Sequence, residues 1–352
     1  VDLALATGDR AVVSGGDTGI GVPLSELEAL AVHPDGQRVF VTAGAHLVPL
    51  VVDVVTGERN LVTPASVGSG PAPEDPEGVA LDAARGRLLI PDDVLDGVLA
   101  VDLATGDRSF LGDDTSVPLT DPEAIAVDPV GKRAVVIDSS LDACIAIDLD
   151  TGARTVLSSD AVGAGPQMQD PEGLALDAAG TTALVIDPSR GGIVFSVDLA
   201  SALREYVSEN NVGAGISLDV PEALILDQVR DRVLVADSGN GAVIAVDLMT
   251  GDRTEVATGG MGPDIGVPLG IALVTPDTAL IYDDVEDYLL LDLVTGVLTS
   301  FTTADLRPGV LLSSPDDLTV DPTRNVLLVA DEDLNAVIAV DMTTKERLII
   351  SR

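Results

Sequence analysis

One motif returns along this chain and limits what it can fold into. In the copy Asp170-Pro-Glu-Gly-Leu-Ala-Leu-Asp177, Ala183-Leu-Val-Ile-Asp187, Ile193-Val-Phe-Ser-Val-Asp-Leu199, short apolar runs end in aspartate and are cut by turn residues. The aspartate closing the third run falls at Asp2, Asp53, Asp102, Asp148, Asp198, Asp247, Asp292 and Asp341, at spacings of 51, 49, 46, 50, 49, 45 and 49 residues. That makes seven repeats. Four short strands per unit is the pattern of a propeller blade. Gly and Pro cut every longer apolar run, so no helix is required. The expected fold is all-β, a seven-bladed β-propeller of four-stranded antiparallel blades, forming a single domain over residues 1–352 because the core of a repeat array runs between neighbouring units.

A closed ring needs its first and last blades joined, and a blade shared between the termini is the expected device. Two segments could supply its outer strand, Arg10-Ala-Val-Val-Ser14 and Arg347-Leu-Ile-Ile-Ser351. The N-terminal one is expected, since an early strand locks the ring against opening.

Hydrophobic residues make up 46% of the chain but aromatics only 2%, so the core must be Val, Leu, Ile and Ala. Thr-Gly pairs such as Thr105-Gly106, Thr151-Gly152 and Thr250-Gly251 mark the hairpins between third and fourth strands, where Gly supplies positive φ. An Arg follows in most copies, six residues after the aspartate in regular ones (Asp102 and Arg108), and the two are expected to pair across the hairpin. The aspartates closing the second strands, Asp92, Asp138, Asp187, Asp237, Asp283 and Asp331, are expected to cap the turn that follows. Two copies depart from the pattern, at Pro268-Leu269 and at Ala200-Ser-Ala-Leu-Arg204, and mark where the ring differs in shape or meets a partner.

With 19 basic and 58 acidic residues the net charge is −39. A field of that sign repels nucleic acid and anionic membranes and attracts cations. It suits a marine or salt-adapted organism. Cys144 is the only cysteine, so no intramolecular disulfide forms, and its apolar strand context predicts burial. No apolar run approaches the roughly 18 residues that cross a bilayer. The start at Val1 is taken as a processed N-terminus, with a secreted or periplasmic location expected.

At the start of the first strand in each unit stand Glu28, Glu77, Glu123, Glu172, Glu222, Leu269 and Asp316. First strands lie nearest a propeller's axis, so six acids would face one channel. Crowded carboxylates must be protonated, screened by water or neutralised by a cation. Alternatively they simply shape the loop entering each strand by bonding nearby amides. Ca²⁺, with six to eight oxygen ligands in loose geometry, fits such a ring. Zinc does not, because only His33, His46 and Cys144 could serve it in its usual manner.

The Pro-Glu-Gly run followed by a Leu-Val-x-Asp strand resembles NHL-repeat propellers, and is similar to the gluconolactonase (senescence marker protein) and paraoxonase superfamily. The resemblance spans the chain at blade level. It implies a divalent metal, calcium in many members, held in the channel at Glu28, Glu77, Glu123, Glu172, Glu222 and Asp316. It also implies His46, in the loop between second and third strands of its unit, as a general base. The chain departs from those enzymes in having seven units rather than six, and only acids where they mix in Asn. No Gly-x-Ser-x-Gly elbow is present. The leading functional expectation is a cation-dependent binding or scaffold module, with cations and a protein or small molecule at the channel mouth as partners. The alternative is a calcium-dependent lactonase or ester hydrolase in which the metal polarises a carbonyl.

Overall fold

The computed structural model describes residues 27–32, 38–43, 50–53, 59–61, 69–112, 116–128, 130–177, 179–257, 265–283, 287–300, 315–321, 326–331, 336–341 and 347–351. Among them are 28 strands, each following the last in the same sheet until four are complete, so that seven four-stranded sheets result. The strands are β1 (Leu27–Val32), β2 (Arg38–Ala43), β3 (Leu50–Asp53) and β4 (Arg59–Leu61); β5 (Ala80–Asp82), β6 (Arg87–Asp92), β7 (Gly97–Asp102) and β8 (Arg108–Phe110); β9 (Pro122–Asp128), β10 (Arg133–Asp138), β11 (Ala143–Asp148) and β12 (Arg154–Ser158); β13 (Gly173–Leu176), β14 (Thr182–Asp187), β15 (Ile193–Asp198) and β16 (Arg204–Ser208). They continue as β17 (Pro221–Asp227), β18 (Arg232–Asp237), β19 (Ala242–Asp247) and β20 (Arg253–Ala257); β21 (Pro268–Thr275), β22 (Thr278–Asp283), β23 (Asp287–Asp292) and β24 (Leu298–Ser300); β25 (Pro315–Asp321), β26 (Val326–Asp331), β27 (Ala336–Asp341) and β28 (Arg347–Ser351). The repeated antiparallel sheets have a propeller-like architecture. Among the described residues no helix is long and apolar enough to cross a membrane.

The last sheet corrects one expectation. Its outer edge is taken by β28, with Val340 opposite Arg347 and Ile338 opposite Ile349, so all four strands come from the C-terminal end. Residues 10–14, expected there, lie outside the described residues.

Contacts gather the chain into two compact units, one of residues 1–90, 99–109 and 300–352, the other of 91–98 and 110–299. Within the first, β1 lies against β25 and β26, so the first and last sheets are neighbours. Within the second, the leading strands β9, β13, β17 and β21 stand side by side in sequence order.

The apolar runs are explained by burial on both faces. On β18, Val233 and Val235 pack with Leu184, Ile186 and Val194 of the preceding sheet, while Leu234 and Ala236 pack with Ile281, Leu289 and Leu291 of the following one. Period-two alternation therefore sorts residues between two neighbours rather than between core and water. Each Val or Leu so buried contributes about 1.5–3 kcal/mol. Cys144 is one such buried residue, packed with Val185 and Phe195, and burial pushes its thiol up to about 12.

The Thr-Gly turns form as expected, with φ of 72° at Gly152 and 74° at Gly251; where Gly is absent, Ala202 takes φ 61°. The expected Asp–Arg pairing across these hairpins does not form at Asp198–Arg204 or Asp247–Arg253. Asp247 instead accepts the amides of Met249 and Thr250 at 2.9 and 2.8 Å and the Thr250 hydroxyl at 3.0 Å. Arg253, 4% exposed, reaches back to the loop before its own sheet, donating to the carbonyls of Ile216, Glu209 and Val212 at 2.5, 2.8 and 2.8 Å and to the Ser208 hydroxyl. Arg204 does the same with Pro166, Ser159, Val162 and Ser158. A planar fork of five donors suits converging carbonyls better than one carboxylate. Aspartate–arginine pairs do form at the hairpins between first and second strands, at 3.0 Å for Asp128–Arg133 and 2.9 Å for Asp227–Arg232.

Candidate cation-binding carboxylates

Four of the acids that lead the first strands, Glu28, Glu123, Glu222 and Asp316, sit at irregularities in the ladder. In β9, Pro122 faces Asp138 and Ala124 faces Ile137, which leaves Glu123 as the extra residue. The same shift leaves Glu222 between Pro221 and Ala223, Leu269 between Pro268 and Gly270, and Asp316 between Pro315 and Asp317. In β1 the shift falls between Leu27 and Leu30 and takes in Glu28. Proline has no N–H to give the ladder, so pairing breaks beside it; a bulge there re-aims the unpaired side chain.

The buried aspartate closing the second strand fixes this bulge. Asp138 accepts the amides of Thr120 at 2.7 Å and Asp121 at 3.3 Å, just ahead of Glu123, and caps its own turn through Leu141 at 2.9 Å. Asp187 holds Gln169 and Asp170 ahead of Glu172, and Asp237 holds Asp219 and Val220 ahead of Glu222. The expected cap is present, and the carboxylate's second oxygen also anchors the segment that delivers the glutamate.

Serine completes two of the three positions. The Ser139 hydroxyl donates to Glu123 Oε1 at 2.9 Å and the Ser238 hydroxyl to Glu222 Oε1 at 2.6 Å. At Glu172 the corresponding residue is Pro188, which has no hydroxyl. Glu172 binds its proton more tightly than an ordinary glutamate, first because surrounding protein desolvates it, then because Asp170, Glu123, Glu222 and Asp187 repel its charge. Desolvation raises Glu123 as well, with Asp121, Asp170 and Asp93 adding repulsion and the Ser139 hydrogen bond opposing it.

On the sheet β5–β8, a segment leading into β5 and the turn after β6 bring one carboxylate oxygen each of Asp75, Glu77 and Asp93 within 4.8 Å of one another. This small acidic group is able to coordinate a cation. Asp93 holds the place in its turn that Ser139 and Ser238 hold in theirs, so a carboxylate faces Glu77 where a hydroxyl would otherwise donate.

The acids expected at one channel thus fall into groups. Glu123 and Glu222 both act on Glu172, and Glu77 joins Asp75 and Asp93. Glu28 and Asp316 occupy matching places on β1 and β25, while Leu269 interrupts the series. His46 lies outside the described residues. Sequence reasoning passed over the acid preceding the proline, Asp75, Asp121 and Asp170; the Asp-Pro-Glu tripeptide itself was the available signal. The serines carried none, because they recur in only some copies.

No protein-family model matches the chain, and no curated protein does. Solved structures do. Hydrazine synthase of Kuenenia stuttgartiensis is similar with a TM-score of 0.68 at 16% identity, covering 94% of this chain and 99% of that one. The extracellular domain of the one-component system BT4673 of B. thetaiotaomicron aligns with a TM-score of 0.66 at 12% identity over 92% of this chain and 38% of its own. A chain of the nidogen/laminin complex aligns with 0.53 at 16%, over 74% of this chain and 90% of its own. At these identities the likeness is one of fold alone.

Proposed function

We propose that the chain forms a single seven-bladed ring over residues 1–352 and serves as an extracytoplasmic binding or scaffold module that holds a divalent cation. The observation that carries this is the row of leading strands β9, β13 and β17, standing side by side, with glutamates at matching positions of which Glu123 and Glu222 repel the charge of Glu172. A cation with oxygen ligands relieves that repulsion, and calcium tolerates the loose, many-oxygen geometry that separate strands provide. Glu123, Glu172 and Glu222 are the assigned ligands, with Asp75, Glu77 and Asp93 as a further acidic group; Glu28 and Asp316 are assigned by their matching places. The NHL-repeat and gluconolactonase-like pattern of the repeats supports the same reading. So does the extracellular setting of the similar domain from B. thetaiotaomicron.

Calorimetric titration of chelator-treated protein with CaCl₂, beside the Glu172→Gln variant, tests it. Saturable binding that weakens in the variant is the expected result. An absence of binding, with no change of melting temperature on adding calcium or EGTA, would overturn it. A panel of lactones and aryl esters run on the calcium-loaded protein separates a binding module from a hydrolase.

A further inference from the structure

A second surface, independent of the carboxylates, lies on sheets β17–β20 and β21–β24. Val229 in the β17–β18 turn is 66% exposed, Met249 in the β19–β20 turn 93%, and Val294 after β23 68%. Hydrogen bonds stitch these turns into one face. The Leu248 amide donates to the Asp231 carbonyl at 3.1 Å and the Leu293 amide to the Asp277 carbonyl at 2.9 Å. Arg230 donates to the Pro276 carbonyl at 2.6 Å and to the Asp277 carboxylate, and Arg232 reaches the Leu293 carbonyl at 3.4 Å. Between the two sheets a notch of about 330 Å³ is lined by Leu226, Val229, Leu273, Thr275 and Pro276.

The turn itself does not require these apolar side chains. At the place of Met249 and Val294, sheets β9–β12 and β13–β16 carry Asp150 and Ala200 and make the same aspartate-capped turn. Exposed apolar side chains at Met249 and Val294, beside Val229 and the notch and replaced by Asp150 and Ala200 in the equivalent turns of the other two sheets, mark a place of contact. The surrounding charge selects the occupant. Exposed Asp231, Asp247, Asp277 and Asp292 border the patch, while Arg230 is engaged by Asp227 and Asp277 and Arg232 by Asp227. Turn amides and hydroxyls keep Asp247 and Asp292 below the usual carboxylate range, so both are anionic near neutrality. A second copy of a chain with net charge −39 would set acid against acid.

We propose that the Val229–Met249–Val294 face docks an amphipathic basic segment of a partner protein, an aliphatic side chain entering the notch and flanking lysines or arginines meeting the aspartate rim. The probe is a fluorescein-labelled synthetic peptide of leucine and lysine with one apolar face, titrated by anisotropy in near-physiological salt, where general attraction to an acidic surface is screened. The wild type binds it. The Met249→Ser/Val294→Ser variant, altered only at exposed turn positions, binds about tenfold more weakly, and Val130→Ser, at an exposed turn of β9–β12, binds like wild type. Equal binding of a serine–lysine peptide would reduce the effect to charge and overturn the proposal, as would equal binding by the double variant. Self-association that disappears in that variant would assign the face to a second copy instead and equally overturn it.

Discussion

Ser238 donates its hydroxyl to Glu222 across 2.6 Å, and the corresponding place beside Glu172 is held by Pro188. A hydrogen bond to the ionised form favours it. Pro188→Ser is therefore expected to bring the Glu172 titration down toward the ordinary glutamate range, and Ser139→Ala to raise Glu123 further. Carboxyl ¹³C shifts followed against pH read both. An unchanged Glu172 titration in Pro188→Ser would show that the hydroxyl is not what distinguishes the positions.

Raised carboxylates set the sign of a pH dependence. Folding lifts the pKa of Glu123 and Glu172, so between the unfolded value and the lifted one the folded state carries more protons. Their contribution to stability is then greatest at low pH and is lost as pH rises through that window. Glu172→Gln cannot ionise, and is expected to flatten the fall in melting temperature over the window without lowering it at neutral pH. Calcium should restore the wild type there and do less for the variant.

The buried aspartates are expected to matter more for stability than any surface acid. Asp237→Ala orphans the amides of Asp219 and Asn240, which it accepts at 2.9 Å each. A fully buried donor left unsatisfied costs about 1–3 kcal/mol; with these two amides part-buried, urea unfolding should show a loss of roughly 1–3 kcal/mol in all. Asp237→Asn, which keeps one acceptor oxygen, should recover part of it.

Arg253 holds its loop by geometry rather than by charge pairing. Arg253→Met is expected to lose about 2–4 kcal/mol in urea unfolding, because several carbonyls lose their donor. Arg253→Lys should recover little, since a single ammonium cannot span the Ile216, Glu209 and Val212 carbonyls together.

The strands were legible in the sequence because both faces of each interior sheet are buried, which writes continuous runs such as Val233-Leu-Val-Ala-Asp237. The turns were legible from Thr-Gly, and the leading acids from Pro-Glu. What stayed hidden depended on partners remote along the chain. Arg204 donates to a hydroxyl 46 residues earlier and to backbone carbonyls, which leave no trace in side-chain patterns. The bulge at Glu123 follows from the missing N–H of Pro122, yet the sequence does not say which way the freed side chain turns. The outer strand of the last sheet had two candidates of similar pattern, and only the pairing of Ile338 with Ile349 distinguishes them.

The arginine that closes each loop has a bearing on how the protein is made. Loop 159–166 is tied by Arg204 and loop 209–216 by Arg253, in each case by a residue that leaves the ribosome some forty positions later. Neither loop can take these hydrogen bonds until the whole of the following sheet has emerged, so a nascent chain halted between two repeats would carry one loose joint at its growing end.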